Sequence, residues 1–226
     1  TLSSSSAASD VYKRQGGECN LSIIEGFFDV LQKENFNNNE FPVFIIKSTV
    51  PIGTTRKLQE KYPWISFIHN PEFLTASNAA EDFLNADRTV IGGNCEESVG
   101  KVRLLYKTHF PSIPIHSMSS DESESVKYFA NCFLATKVMF FNEMKLLTEE
   151  LNVDFNTIGE AVTADSRIAD SHWKVPGPDG EWGFGGTCFP KDIHALIATM
   201  ENNGTNPLVL KAVCLLYTSP SPRDGL

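Results

Sequence analysis

"FPVFIIKSTVPIGTTRKLQEKYPWISFIHN", residues 41–70, holds two apolar runs on either side of a short polar stretch. FPVFIIKSTV (41–50) is rich in β-branched and aromatic residues with no alternation, the pattern of a strand buried on both faces. GTTRKLQEKY (53–62) reads as a short helix and WISFIHN (64–70) as the next strand. Strand, helix and strand in close succession is the repeating unit of a parallel sheet.

The same alternation continues in both directions. Before it lie an amphipathic helix, LSIIEGFFDVLQKE (21–34), and a polar loop, NFNNNE (35–40). After it come SNAAEDFLN (77–85) as a helical turn or loop, RTVIGG (88–93) as a strand, EESVGKVRLLYKTHF (96–110) as a helix and SIPIH (112–116) as a short strand. The α/β class follows, with a partial Rossmann-like parallel sheet covered by helices on its faces. Ligands of such sheets sit at the carboxyl ends of the strands, where the loops STVPIG and HNPEF fall.

At residue 121 the pattern changes. DESESVKYFANCFLATKVMFFNEMKLLTEELN (121–152) contains neither Gly nor Pro and is apolar around most of its circumference. It predicts a long central helix buried on two sides, by a second domain or a second subunit. An all-helical middle domain follows: a helix near DFNTIGEAVTAD (154–165), the loop VPGPDGEWGFGG (175–186), and a helix opening after Cys188. In that last helix Ile193, Leu196, Ile197 and Met200 keep helical spacing, and Gly204 is its expected C-cap.

The formal charge of −9, with no basic stripe, excludes a general nucleic-acid surface. No apolar run reaches the length of a bilayer span and no secretory leader opens the chain, so the expected compartment is cytoplasmic and no membrane partner is expected. Five cysteines without CxxC or Cys/His spacing suggest neither a disulfide framework nor a metal site. The terminal stretches TLSSSSAASDVYKRQ and CLLYTSPSPRDGL have no amphipathic period and look like translated adapter sequence. Residues 1–16 and 214–226 are therefore set apart as non-native or disordered tails.

Three features carry chemistry. GFGGTCFPKD (183–192) puts a thiol between a glycine-rich turn and a helix start, with Pro190 suited to the first turn and Lys191 alongside. A cysteine so placed is either an activated nucleophile or a buried structural residue. Lys127 and Asn131, four apart among Val126, Phe129, Ala130 and Phe133, are either a snorkelling pair or a cation and a donor aimed into a cleft. Glu72 of NPEF ends an apolar strand and either acts as a base or caps a turn, and Thr49 at the end of FIIKST is equally open. His69, His109, His116, His172 and His194 have no metal-ligand spacing.

KSTVPIGTT (47–55), NPEFL (70–74), DRTVIGG (87–93), VKYFANCFLATK (126–137), DSRI (165–168) and GFGGTCFPKD occur in the order seen in the nucleotide-sugar dehydrogenases. Over about residues 17–213 the chain resembles this family, which includes UDP-glucose 6-dehydrogenase. The resemblance implies the C-terminal part of an NAD-binding Rossmann domain at 17–118. It implies a central helix and helical dimerisation domain carrying the catalytic cysteine loop at 119–213. The GxGxxG turn expected in such a domain does not occur, so the chain is expected to begin partway through it and to lack the nucleotide-binding domain that follows in the family. As it stands it is expected to bind NAD weakly and to turn over no sugar.

The resemblance also implies a four-electron oxidation of a UDP-sugar, with two NAD molecules reduced in succession. Cys188 would form a thiohemiacetal and then a thioester, with Lys127 and Asn131 stabilising oxyanions. Asp192 and Thr49 would orient or activate water, and Glu72 would be the hydrolytic base. Thr49, Glu72 and Lys191 would lie at the cofactor. Phe73, Leu74 and Gly185 would line the sugar nucleotide, and Arg167 would reach the substrate from the partner subunit of a homodimer joined through the central helix. Two positions depart from the family: Ala76 replaces a common glutamate, and RIAD (167–170) replaces RIG. UDP-glucose is the first expectation for the substrate, with GDP-mannose and UDP-N-acetylmannosamine as alternatives. A non-catalytic dimerisation module and a cysteine hydrolase are the competing readings.

Overall fold

The computed structural model describes residues 21–33, 43–75, 78–186 and 188–217. The polar loop 35–40, Ala76, Thr187 and the tail from residue 218 lie outside them, as do residues 1–20. The chain divides into two compact units, Thr1–Tyr128 and Phe129–Leu226.

The first unit alternates helix and strand: α1 (Ser22–Lys33), β1 (Val43–Ile46), α2 (Thr54–Lys61), β2 (Ser66–His69), α3 (Ala79–Leu84), β3 (Thr89–Gly92), α4 (Glu96–His109) and β4 (Ile115–Met118). The strands lie in the order β1-β2-β3-β4. β1 pairs with β2 in parallel from Val43↔Ser66 to Ile46↔His69, and β3 pairs with β4 in parallel from Thr89↔Ile115 to Gly92↔Met118. The expected all-parallel sheet needs one correction, because β2 meets β3 antiparallel, at His69↔Gly92. A parallel link requires a crossover helix packed on the sheet. The only helix between these strands, α3, buries none of its residues.

Adjacent residues of β2 point to opposite faces and so serve two cores. Phe67 joins Phe28, Ile46, Leu58, Tyr62 and Ile65 under α1 and α2. Ile68 joins Ile91, Val99 and Val102 under α4. Phe28 is the hub of the first core, edge-on to Phe44 at 4.7 Å and to Phe67 at 4.9 Å. β4 sits two residues later than the SIPIH run indicates.

The N-terminus of α2 is capped from far away. Gly53, at φ 90°, offers no side chain of its own. The fully buried Glu124 accepts from Gly53 N at 2.5 Å, from Thr55 N at 2.8 Å and from the Thr55 hydroxyl at 2.6 Å. A carboxylate there satisfies donors that a helix start leaves open. Burial pushes the Glu124 carboxyl up, against the pull of these bonds. Gly92 is required where this helix passes, since a Cβ on it would lie 2.2 Å from Ser123 Cβ.

The long helix is α5 (Ser120–Glu150), as the 121–152 pattern predicts, and the unit boundary falls within it. The second unit continues with α6 (Phe155–Thr163), α7 (Phe189–Asn202) and α8 (Leu208–Tyr217). Its core gathers Phe141, Phe155, Trp173 and Val175. Trp173 packs so closely on α6 that a Cβ on Gly159 would lie 2.2 Å from its ring. α7 ends as expected at Gly204 (φ 73°), where Thr205 N bonds Met200 O and Gly204 N bonds Glu201 O. α8 corrects the sequence division, because Cys214–Tyr217 continue it into the stretch set apart as a tail.

Phe129, Phe133, Phe140 and Leu147, spaced by four, seven and seven along α5, are at least half exposed, so this face of the helix is not covered within this chain.

Candidate active site

In the first unit the site is built on the ends of β1 and β2. Thr49, half-buried, lies three residues past β1, and Asn70 to Leu74 lead away from β2. Asn70 fixes this loop to the sheet: its N–H bonds Ile46 O at 2.9 Å and its side-chain amide donates to Val90 O at 2.6 Å. Its Oδ1 accepts from Lys47 Nζ at 2.8 Å and from the Tyr106 hydroxyl at 2.5 Å.

Glu72 both caps its own turn and faces a cation. Its Oε2 accepts from Leu74 N at 2.8 Å, and its Oε1 lies 3.4 Å from Lys127 Nζ. The Lys127 ammonium donates to the Glu72 carbonyl at 2.5 Å and stands 5.2 Å from the Phe73 ring centroid. At 5% exposure Lys127 is buried and does not snorkel to the surface. Lys127 and Asn131, one turn apart on α5, are buried, whereas Phe129 and Phe133 face outward.

His69, beneath the loop, is fully buried with Nδ1 2.8 Å from Ser123 Oγ. Burial lowers its pKa to about 4, so the ring is neutral at pH 7. Lys47 and Asn70 open the KSTVPIGTT and NPEFL motifs but were given no role from sequence, and Tyr106 lies in no motif at all.

In the second unit Cys188 is the N-cap residue of α7, with Pro190 in the first turn. Cys188 is exposed rather than buried. By contrast Cys132 is buried, and desolvation, with Asp192 and Cys214 adding to it, pushes its thiol up to about 12. One turn into α7, Asp192 is fully buried and accepts from the Asn131 amide at 2.6 Å. Its other oxygen makes no hydrogen bond and faces Lys191 Nζ at 3.4 Å. The Gly183 N–H bonds Asn142 Oδ1 at 2.7 Å, fixing the turn that leads to Gly185. The His172 ring packs 5.8 Å from that of Phe189, a neighbour of the thiol that sequence spacing did not single out.

Arg167 is not at the thiol. Its side chain is 87% exposed and folds onto Asp165, with Nε–Oδ1 at 3.0 Å and Nη2–Oδ2 at 2.5 Å. The RIAD turn around it holds Ala169 at φ 63°, a left-handed conformation that favours glycine. Lys137 Nζ clamps this turn, donating to Ile168 O and Ala169 O, each at 2.8 Å.

The described residues contain no cluster of three or more His, Cys, Asp or Glu able to hold a metal ion. They also contain no helix long and apolar enough to cross a membrane.

Comparison with known proteins covers both units. Residues 11–110 match the NAD binding domain of the UDP-glucose/GDP-mannose dehydrogenase family, and residues 121–216 match its central domain. The UDP-glucose 6-dehydrogenase of Rickettsia bellii is 36% identical over 211 residues, covering 88% of this chain and 45% of that protein. The corresponding protein of Pseudomonas aeruginosa is 36% identical over 185 residues, 76% of this chain and 39% of that one. A UDP-glucose dehydrogenase from the archaeon Pyrobaculum islandicum superposes with a TM-score of 0.80 at 32% identity, over 96% of this chain and 52% of that one. The chain thus spans about half the length of the relatives it matches. With an exposed thiol opening α7 and a buried Asp192–Asn131 pair one turn on, it belongs to the UDP-glucose/GDP-mannose dehydrogenase family.

Proposed function

We propose that this chain is the part of an NAD-dependent nucleotide-sugar 6-dehydrogenase that carries its covalent chemistry, with UDP-glucose as substrate and UDP-glucuronate as product. The observation that carries the reading is the arrangement at α7: an exposed Cys188, and one turn later a buried Asp192 locked onto Asn131.

Thr49, Glu72 and Lys191 are the residues that would hold NAD, which supplies the hydride acceptor for each of the two oxidations. Their fit rests on the parallel strands β1 and β2, whose carboxyl ends lead directly into Thr49 and Glu72, the edge where such sheets take ligands. The α2 N-terminus is not part of that site, since Glu124 already takes its N–H groups.

Cys188 Sγ adds to the carbon of the sugar aldehyde, forming a C–S bond and a thiohemiacetal. Loss of hydride from that carbon, with loss of the proton from its hydroxyl to solvent, would leave a thioester. Lys127 and the second N–H of the Asn131 amide stabilise the oxygen that gains negative charge. Glu72 takes a proton from water as the water attacks the thioester. The C–S bond then breaks, the thiolate leaves and the carboxylate product forms. Phe73, Leu74 and Gly185 line the sugar nucleotide. The outward stripe of Phe129, Phe133, Phe140 and Leu147 supports a homodimer through α5, in which the exposed Arg167 would serve the neighbouring subunit's substrate.

The test is intact mass spectrometry of the enzyme after incubation with UDP-glucose and NAD. Glu72→Gln should accumulate a sulfur-linked adduct, because removal of a base slows hydrolysis roughly 10²–10⁴-fold, and Cys188→Ser an oxygen-linked one, because an ester hydrolyses more slowly than a thioester. Cys188→Ala should never gain mass. Release of acid by Cys188→Ala at the normal rate would end the covalent reading.

A further inference from the structure

The Pro71–Leu74 loop also borders a cavity of about 260 Å³ that it shares with α3 and α4. Thr49 and Lys127 do not line this space, whereas Glu72, Phe73 and Leu74, assigned above to cofactor and sugar nucleotide, form one wall of it. Its walls are aromatic, with Phe83 edge-on to Phe110 at 5.3 Å and Tyr106 beside Phe110 at 6.1 Å. Two cations open onto it, Lys47 and Arg88.

Both cations are electrostatically unsatisfied. Lys47 is half-buried, yet its ammonium bonds only neutral oxygens, Asn70 Oδ1 at 2.8 Å and the Tyr106 hydroxyl at 3.2 Å. Burial lowers its pKa to about 8, with Glu72 raising it and Lys127 lowering it. Arg88 rests on the Phe73 ring, 4.3 Å from its centroid. Among the described residues no carboxylate forms an ion pair with either. The acids on the cavity wall do not fill that role. Glu72 is held by Leu74 N–H and Lys127, Asp82 accepts from Thr75 and Asn78, and Asp87 is exposed. A part-buried cation with neutral partners gains most from an anion that brings its own charge into the same low-dielectric space.

We propose that this cavity binds a small carboxylate with a flat apolar body, its anionic head paired with Lys47 and Arg88 and its body against the Phe83–Phe110 pair. The volume falls below the roughly 300–1,000 Å³ of sites for drug-sized molecules, so the ligand is of fragment size. The cavity shares Glu72, Phe73 and Leu74 with the site proposed for the oxidation, and the titrations below read binding without turnover. The Tyr106 hydroxyl already donates to Asn70 Oδ1, so the two cations hold the head and the ring walls supply the apolar contact.

Calorimetric or NMR titration of the full chain at pH 7 tests this, with benzoate, benzyl alcohol and inorganic phosphate as probes. Benzoate should bind at least about tenfold more tightly than either other probe, since one lacks the charge and the other the ring. Lys47→Met and Arg88→Gln should each weaken benzoate about tenfold or more. Ala86→Phe, which fills the cavity and leaves both cations in place, should abolish binding, with folding checked by circular dichroism. Affinity should also fall as pH rises through about 8 and Lys47 loses its proton in the field of Glu72, Asp82, Asp87, Arg88, Tyr106 and Lys127. Benzyl alcohol or phosphate matching benzoate would overturn the proposal. So would unchanged binding in Lys47→Met or Ala86→Phe, or no binding of benzoate at about 10 mM.

Discussion

Replacing Ala169 by glycine should stabilise the protein although it removes atoms. Ala169 sits at φ 63°, in the left-handed region, and an L-residue with a Cβ costs about 1–2 kcal/mol there. The turn cannot relax to relieve this. Ala169 N bonds Asp165 O at 3.0 Å, and Lys137 Nζ holds the carbonyls of Ile168 and Ala169 at 2.8 Å. Glycine removes the strain and gives back about 0.5–1 kcal/mol through the greater freedom of the unfolded chain. The net gain is about 0.5–1 kcal/mol, a rise in melting temperature of about 1–4 °C for a chain of this size. Differential scanning calorimetry and urea unfolding of Ala169→Gly read it directly. Ala169→Val, with a branched Cβ in the same conformation, should lose at least about 1 kcal/mol. A glycine variant less stable than the parent would mean that the clamp does not hold this φ in solution and that the strain argument is wrong.

Unfolding free energy should fall by up to about 3 kcal/mol as pH drops from 6.5 to about 4, because His69 titrates near 4 when folded and near 6.5 when unfolded, so the unfolded chain binds its proton first. His69→Gln should flatten that window, and an unchanged pH profile would show that His69 is not the source. Glu124→Ala strands two buried N–H groups and a hydroxyl, for a predicted loss of about 2–4 kcal/mol in urea unfolding; a loss under about 0.5 would refute the capping role. Gly159→Ala should cost about 1–3 kcal/mol by driving a methyl into the Trp173 ring, checked by melting temperature and by the near-ultraviolet signal of that tryptophan, which a harmless substitution would leave alone. Light scattering at micromolar protein should give a dimer that Phe133→Glu converts to monomer, and a monomeric parent chain would remove the case for pairing through α5.

What was legible in the sequence followed the length of each pattern. The buried runs around Ile46 and Ile68 and the Gly-free stretch of α5 each extend far enough for periodicity to specify type, and each element formed where expected. Direction between strands carries no such signature. The antiparallel step from β2 to β3 depends on whether α3 packs on the sheet, and six residues carry no decisive apolar stripe. Cys188, Glu72, Lys127 and Asn131 could be singled out because each sits at an element end or on a shared helix face. Their pairings could not. Asp192 meets Asn131 across 61 positions and Lys127 meets Glu72 across 55, and no local spacing encodes either pairing. That Phe129 and Phe133 face outward was not legible, for a related reason. Hydrophobicity alone cannot distinguish a core from a surface awaiting a partner.

The Glu124 cap also sets an order of events during synthesis. Gly53 and Thr55 leave the ribosome 71 and 69 residues ahead of the carboxylate that receives their amides. At about 5–20 residues per second the start of α2 stays open to water for several seconds. Pulse-labelling hydrogen exchange on stalled nascent chains should therefore find those two amides unprotected until α5 has emerged. Protection in a chain ending near residue 110 would show that the first turn closes without its distant carboxylate.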